Sequence, residues 1–169
     1  HGTTYSIQPD RIETATFLCA AAGCGGEVLL RRTDTRAIRS VTALLRQTGC
    51  ELLEEQDAVF IRRTGKIGMI SEVKTAAYPG FPTDCQAILT AALLRAEGES
   101  RIGETVFEDR FHHVPELQKL GARLEIHHNT VHISGVCTLF GAEMTARDLR
   151  GGAALVLAAM QAEGESRVT

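Results

Sequence analysis

Three alanine-rich apolar runs recur along the chain, each opened by an aspartate. Asp10 precedes Ala15, Phe17, Leu18, Ala21 and Ala22, and the run closes at Gly25-Gly26. Asp84 precedes Ile88, Leu89, Ala92, Leu93 and Ala96, closing at Glu97-Gly98-Glu99-Ser100. Asp148 precedes Ala153, Leu155, Val156, Ala159 and Ala162, closing at Glu163-Gly164-Glu165-Ser166. Spacing repeats as well: Gly26 to Gly49 and Gly98 to Gly121 are each 23 residues apart. Self-similarity of this kind marks a fold assembled from one repeated unit.

Gly49 and Gly121 each follow a short helical run, where glycine supplies a left-handed cap. After each glycine come two alternating strands, Glu51 to Leu53 with Ala58 to Ile61, and Arg123 to Ile126 with Thr130 to Ile133. Gln56-Asp57 and His128-Asn129 mark the turns between them. Each unit therefore reads strand, helix, strand, helix, strand, strand. The units span roughly 5–64, 65–136 and an incomplete 137–169, together one α/β (α+β) domain. Each first helix is apolar around most of its circumference and is expected inside; the second is amphipathic and is expected outside.

An aspartate at a helix start is first of all an N-cap. Three parallel buried helices around a pseudo-threefold axis would gather three positive helix ends, a setting suited to phosphates and carboxylates. Arg11, Arg147 and Arg150 adjoin two of these starts, and Arg110 lies between Phe107 and Phe111 at a strand-to-helix turn. The arginine fork matches such anions.

Composition excludes several classes. With 169 residues the chain can bury a core of ordinary size, and a net charge of −3 gives no broad pull toward nucleic acid or membrane. No apolar run reaches membrane-spanning length, and no signal peptide is visible. The five cysteines are odd in number and form no CxxC pair, which fits a reducing compartment better than a disulfide framework or zinc site. The histidines at 112, 113, 127, 128 and 132 lack a carboxylate or cysteine to complete a metal set, and no metal is expected. The start at His1-Gly2 without Met, and the strand-like end Arg167-Val168-Thr169, read as an excerpt from a longer protein.

Several longer motifs then fall in order. Pro9-Asp10-Arg11-Ile12-Glu13-Thr14 with Thr16-Phe17-Leu18, Tyr78-Pro79-Gly80-Phe81-Pro82-Thr83-Asp84, Glu104-Thr105-Val106-Phe107-Glu108-Asp109-Arg110-Phe111, and Asp148-Leu149-Arg150 with Ala153-Leu155-Val156-Leu157-Ala158 resemble the enolpyruvyl transferases that act on UDP-N-acetylglucosamine. The likeness runs in register over essentially the whole chain.

That resemblance implies a two-domain inside-out α/β barrel, each domain built of three βαβαββ units, with the active site in the cleft between domains. It implies transfer of the enolpyruvyl group of phosphoenolpyruvate to the 3′-hydroxyl of UDP-N-acetylglucosamine, with release of phosphate. The reaction is the first committed step of peptidoglycan precursor synthesis in the bacterial cytoplasm. No cofactor, nucleic acid or membrane is implied. By the same resemblance Asp84 is the base near the sugar hydroxyl, and Val106 contacts the sugar nucleotide through its backbone. Arg110, Asp148 and Arg150 organise charge around the reacting groups, with Arg110 and Arg150 also binding substrate. An aspartate of ordinary pKa, about 3.9, is a weak base toward an alcohol, so proton transfer must accompany C–O bond formation and positioning must carry much of the effect.

The family's loop cysteine belongs to the other domain, which is the expected partner, so these residues alone are expected to be inactive. Cys85 stands at a Met position of the motif and reads as packing. Asp109 stands where the family has Asn, and could pair with Arg110; Arg147 and Gly151-Gly152 also depart from the pattern. Two alternatives stay open: the sister transferase acting on shikimate 3-phosphate, and a non-catalytic binding domain of the same fold.

Overall fold

The structure is a computed structural model and describes residues 2–169. Helix α1 (Arg11–Cys24) starts at Asp10, whose carboxylate accepts from the Ile12 and Glu13 N–H groups. It ends at Gly25, with φ of 85°, and the Arg63 guanidinium donates to the freed carbonyls of Ala22 and Gly23. Then follow β1 (Gly26–Arg31), a 3-10 turn (Thr35–Ile38), α2 (Arg39–Gln47), β2 (Glu51–Glu54) and β3 (Ala58–Arg63). These strands form one antiparallel sheet in the order β1-β3-β2, with Val28 opposite Ile61 and Leu52 opposite Ile61.

The next stretch contains β4 (Val73–Lys74), a 3-10 turn (Thr83–Cys85), α3 (Gln86–Ala92), β5 (Glu99–Gly103), α4 (Val114–Gln118), β6 (Arg123–His127) and β7 (Thr130–Ser134). Its sheet runs β4-β5-β7-β6, and only the β4-β5 pair is parallel. Last come β8 (Leu139–Phe140), β9 (Glu143–Met144), α5 (Leu149–Ala159), β10 (Ala162–Glu163) and β11 (Arg167–Val168). β8 pairs with β10 and β9 with β11, both parallel, as β4 pairs with β5.

Gly49 and Gly121 both take φ of 86°, the left-handed cap that the repeat predicts. His128 also takes positive φ, in the β6-β7 turn. The strand and helix order holds from β4 to β7. It fails before α1, where residues 2–10 carry no strand and lie exposed. Gly2 and Pro9 are poor ladder members, and the outer edge of β1 gains no partner there. The second apolar run is also helical over fewer residues than expected, ending at Ala92 rather than Ala96. There the chain must turn early to bring Glu97 beside Gly68, where the parallel pairing begins.

α1, α3 and α5 pack against one another inside the molecule, with the sheets and α2 outside. Every residue of α3 is buried, because it touches both other helices. Phe17 on α1 and Val156 on α5 are each half exposed. The three helices run parallel. At one end Gln161 donates to the Ala91 carbonyl, and Gly23 lies against Ala92. At the other end stand Asp10, Asp84 and Asp148.

Candidate active site

The three aspartates do different work. Asp10 and Asp148 are N-caps; the Asp148 carboxylate accepts from the Gly151 N–H at 2.8 Å. Asp84 is not, contrary to the simplest reading of its position. It sits inside the Thr83–Cys85 turn ahead of α3, and its carboxylate takes no backbone N–H among the described residues. Instead Oδ1 accepts from Arg110 Nη2 at 2.8 Å, and Arg150 Nε stands 3.5 Å from the same oxygen. A 3-10 turn separates Pro82 from α3, so Asp84 lies inside that turn and not at the capping position of the helix. Its carboxylate is thereby left for charge partners.

Arg110 is fixed on three sides. Nη1 donates to the Thr83 hydroxyl at 2.9 Å, Nη2 to Asp84, and the Phe107 ring lies 4.8 Å from the guanidinium carbon. Asp109 leaves Arg110 alone. It takes φ of 51°, faces solvent, and approaches His112 at 3.9 Å. At the neighbouring helix start Arg11 lies over the Tyr78 ring at 5.5 Å.

Cys85 lies at the heart of these helix starts and is fully buried. Burial, and then the Asp84 carboxylate, push its thiol up to about 12, against the pull of Arg150 and Arg11, with Asp10 adding to the rise. The thiol stays protonated and serves as packing, as the sequence suggests. All five cysteines are free. His113 is 3% exposed, and its Nε2 has no hydrogen-bond partner among the described residues. Burial lowers its pKa to about 4, against the opposing pull of Asp148 and with His112 and Arg110 assisting.

The structure therefore brings Asp84, Arg110 and Arg150 together, with Asp148 at the start of the helix that carries Arg150. Val106 stands apart, half exposed on the turn after β5. What links it to the others is Glu104, whose importance sequence reasoning missed. Burial alone would raise the Glu104 pKa, but hydrogen bonds from Thr83, Thr75, Val106 and Phe107 outweigh it and hold the carboxyl below its ordinary value. Thr83 was likewise passed over. The only sequence signal for either residue was its place inside the quoted motifs, next to Asp84 and before Val106. No group of three or more His, Cys, Asp or Glu side chains stands together as a metal cage among the described residues.

A family model described as EPSP synthase (3-phosphoshikimate 1-carboxyvinyltransferase) matches residues 1–169. The chain belongs to the EPSP synthase family. Among curated members it is 45% identical over 169 residues to a UDP-N-acetylglucosamine 1-carboxyvinyltransferase of Gluconobacter oxydans, covering 100% of this chain and 40% of that protein. It is 44% identical over 171 residues to the enzyme of the same name from Finegoldia magna, again covering 100% and 40%. The chain thus spans about 40% of the length of these curated relatives. Among solved structures, the enolpyruvyl transferase NikO from Streptomyces tendae superposes with a TM-score of 0.86 at 28% identity, over 97% of this chain and 39% of that one. An EPSP synthase from Acinetobacter baumannii superposes at 0.73 with 15% identity, over 98% and 39%, a likeness of fold alone. Within the EPSP synthase family, the arrangement of internal helices and outer sheets is the inside-out α/β architecture that the repeat and motifs imply.

Proposed function

We propose that this chain serves the transfer of an enolpyruvyl group from phosphoenolpyruvate to the 3′-hydroxyl of UDP-N-acetylglucosamine, and supplies one side of the active site. The observation that carries the reading is the freedom of the Asp84 carboxylate from helix capping. Two guanidiniums meet its Oδ1, and no protein donor meets Oδ2 among the described residues. Oδ2 is therefore available to a substrate hydroxyl.

The chemistry follows from that placement. The hydroxyl oxygen adds to C2 of phosphoenolpyruvate as its proton passes to Asp84, while a general acid of the completed site protonates C3. The tetrahedral adduct then loses phosphate as the conjugate base of that acid takes a proton back from C3, so the net proton lost by the hydroxyl leaves with the phosphate. Arg110 and Arg150 neutralise Asp84. An arriving phosphate or carboxylate competes for the same guanidiniums, which loosens their hold on Asp84 as substrate binds. Asp148 keeps the start of α5 in place and so sets where Arg150 stands. Val106 presents its turn to the sugar nucleotide. The names of the relatives at 44–45% identity support UDP-N-acetylglucosamine as acceptor over shikimate 3-phosphate. On this reading the protein acts in the bacterial cytoplasm, at the entry to peptidoglycan precursor synthesis. A second domain carrying the loop cysteine completes the site, and these 169 residues alone are inactive.

Asp84→Asn in the intact protein tests the reading. Phosphate release should fall by about 10²- to 10⁴-fold, the usual worth of a positioned acid–base group, while UDP-N-acetylglucosamine still binds. Near-normal turnover would refute the role. Turnover with shikimate 3-phosphate in place of the sugar nucleotide would reassign the acceptor.

A further inference from the structure

Glu104 is 1% exposed at the end of β5, and its carboxylate accepts four hydrogen bonds. Oε1 takes the Thr75 hydroxyl at 2.7 Å, the Val106 N–H at 2.8 Å and the Phe107 N–H at 3.2 Å. Oε2 takes the Thr83 hydroxyl at 2.7 Å. A carboxylate this deeply buried persists only when donors meet it, and here three meet Oε1 and one meets Oε2. The backbone carbonyl of Glu104 also accepts from Asn129 Nδ2 at 2.8 Å, which ties the residue to the β6-β7 turn.

The direction of these bonds matters. An ionised carboxylate only accepts, so the single hydroxyl proton of Thr83 is committed to Oε2. The Thr83 oxygen must then present a lone pair, and Arg110 Nη1 fills it at 2.9 Å. Arg110 Nη2 in turn holds Asp84. Donation thus runs one way, from Arg110 to Thr83 to Glu104. Glu104 reaches Arg110 by a second route, since it fixes the Phe107 backbone and the Phe107 ring lies against the guanidinium. A carboxylate required only to cap the 105–107 turn would need Oε1 alone.

We infer that Glu104 is a positioning residue for the transfer reaction: through Thr83 and Phe107 it aims Arg110 at Asp84, and through Val106 it shapes the turn that meets the sugar nucleotide. The inference rests on the functional reading above, in which Asp84 and Arg110 act on substrate. It makes the acceptor-binding turn and the charged pair parts of one hydrogen-bonded unit.

The test uses steady-state phosphate release by the intact protein with phosphoenolpyruvate and UDP-N-acetylglucosamine. Glu104→Gln alone endangers the fold, so the Thr83 pair carries the experiment. Thr83→Val keeps the shape and removes the hydroxyl. It should lower kcat by about 10- to 100-fold with KM for the sugar nucleotide changed less than about threefold. Thr83→Ser restores the hydroxyl and should return kcat to within about threefold of the unmutated protein. Unchanged kcat in Thr83→Val overturns the inference. So does a Thr83→Ser variant no better than Thr83→Val, because the loss would then come from packing. Failure of the unmutated protein to release phosphate would overturn the functional reading, and this inference with it.

Discussion

Arg110 Nη2 donates to Asp84 Oδ1 at 2.8 Å, while Nη1 of the same guanidinium donates to Thr83 in the residue just before. A planar fork sets two donors at a fixed spacing across two adjacent side chains, with its face on the Phe107 ring, a geometry that the single nitrogen of a lysine does not reproduce. Arg110→Lys should therefore lower kcat of the intact protein by about 10- to 100-fold, the worth of one lost charge-assisted hydrogen bond. Turnover equal to that of the unmutated protein would show that the fork geometry is irrelevant.

His113 makes stability depend on acidity. Its folded pKa of about 4 lies below that of the unfolded chain, about 6.5, so between these values the unfolded state binds the extra proton. Stability is complete above about pH 6.5 and falls as pH drops toward 4, by on the order of 3 kcal/mol from this residue. Asp148 opposes the shift, whereas His112 and Arg110 favour it. Denaturant unfolding of the protein and of His113→Met, measured from pH 7 to pH 4, should show a shallower decline in the variant. Parallel declines would mean that other groups carry the acid sensitivity.

Gly135 lies where the chain leaving β7 crosses the link between α3 and β5, its N–H donating to the Gly98 carbonyl. A methyl group there would fall on the Ala96 carbonyl, backbone that has nowhere to go. Gly135→Ala should cost about 3 kcal/mol or more in unfolding free energy, through overpacking against rigid atoms. At Gly65 an added methyl meets nothing within 4 Å. Gly65→Ala should stay within about 0.5 kcal/mol of the unmutated protein or gain slightly. Similar midpoints for the two variants in urea would contradict the close approach.

Much of this architecture was legible residue by residue. The glycine caps at 49 and 121, the β2-β3 and β6-β7 hairpins, and the Asp10 and Asp148 caps all rest on interactions within a few positions of chain. Periodicity also identified the internal helices, because a helix apolar on nearly all sides has only the interior to occupy. The extent of α3 was less legible, since tertiary pairing of Glu97 with Gly68 ends it before its apolar run does. In the site, the motifs pointed to Asp84, Arg110 and Arg150, but their resemblance to a family conveyed no bond between them.

By itself the sequence determined the repeated unit, its helix caps and hairpin turns, and the aspartate at each internal helix start. Only the tertiary structure decided which aspartate keeps its carboxylate free. Asp10 and Asp148 spend theirs on their own helices, a contact that needs no more than three residues of chain. Asp84 faces Arg110 and Arg150, and Glu104 joins Thr75 and Thr83, across separations of 21 to 66 residues. Such pairs exist because three helix starts pack into one end of the core, where a charge must find its partner from another segment.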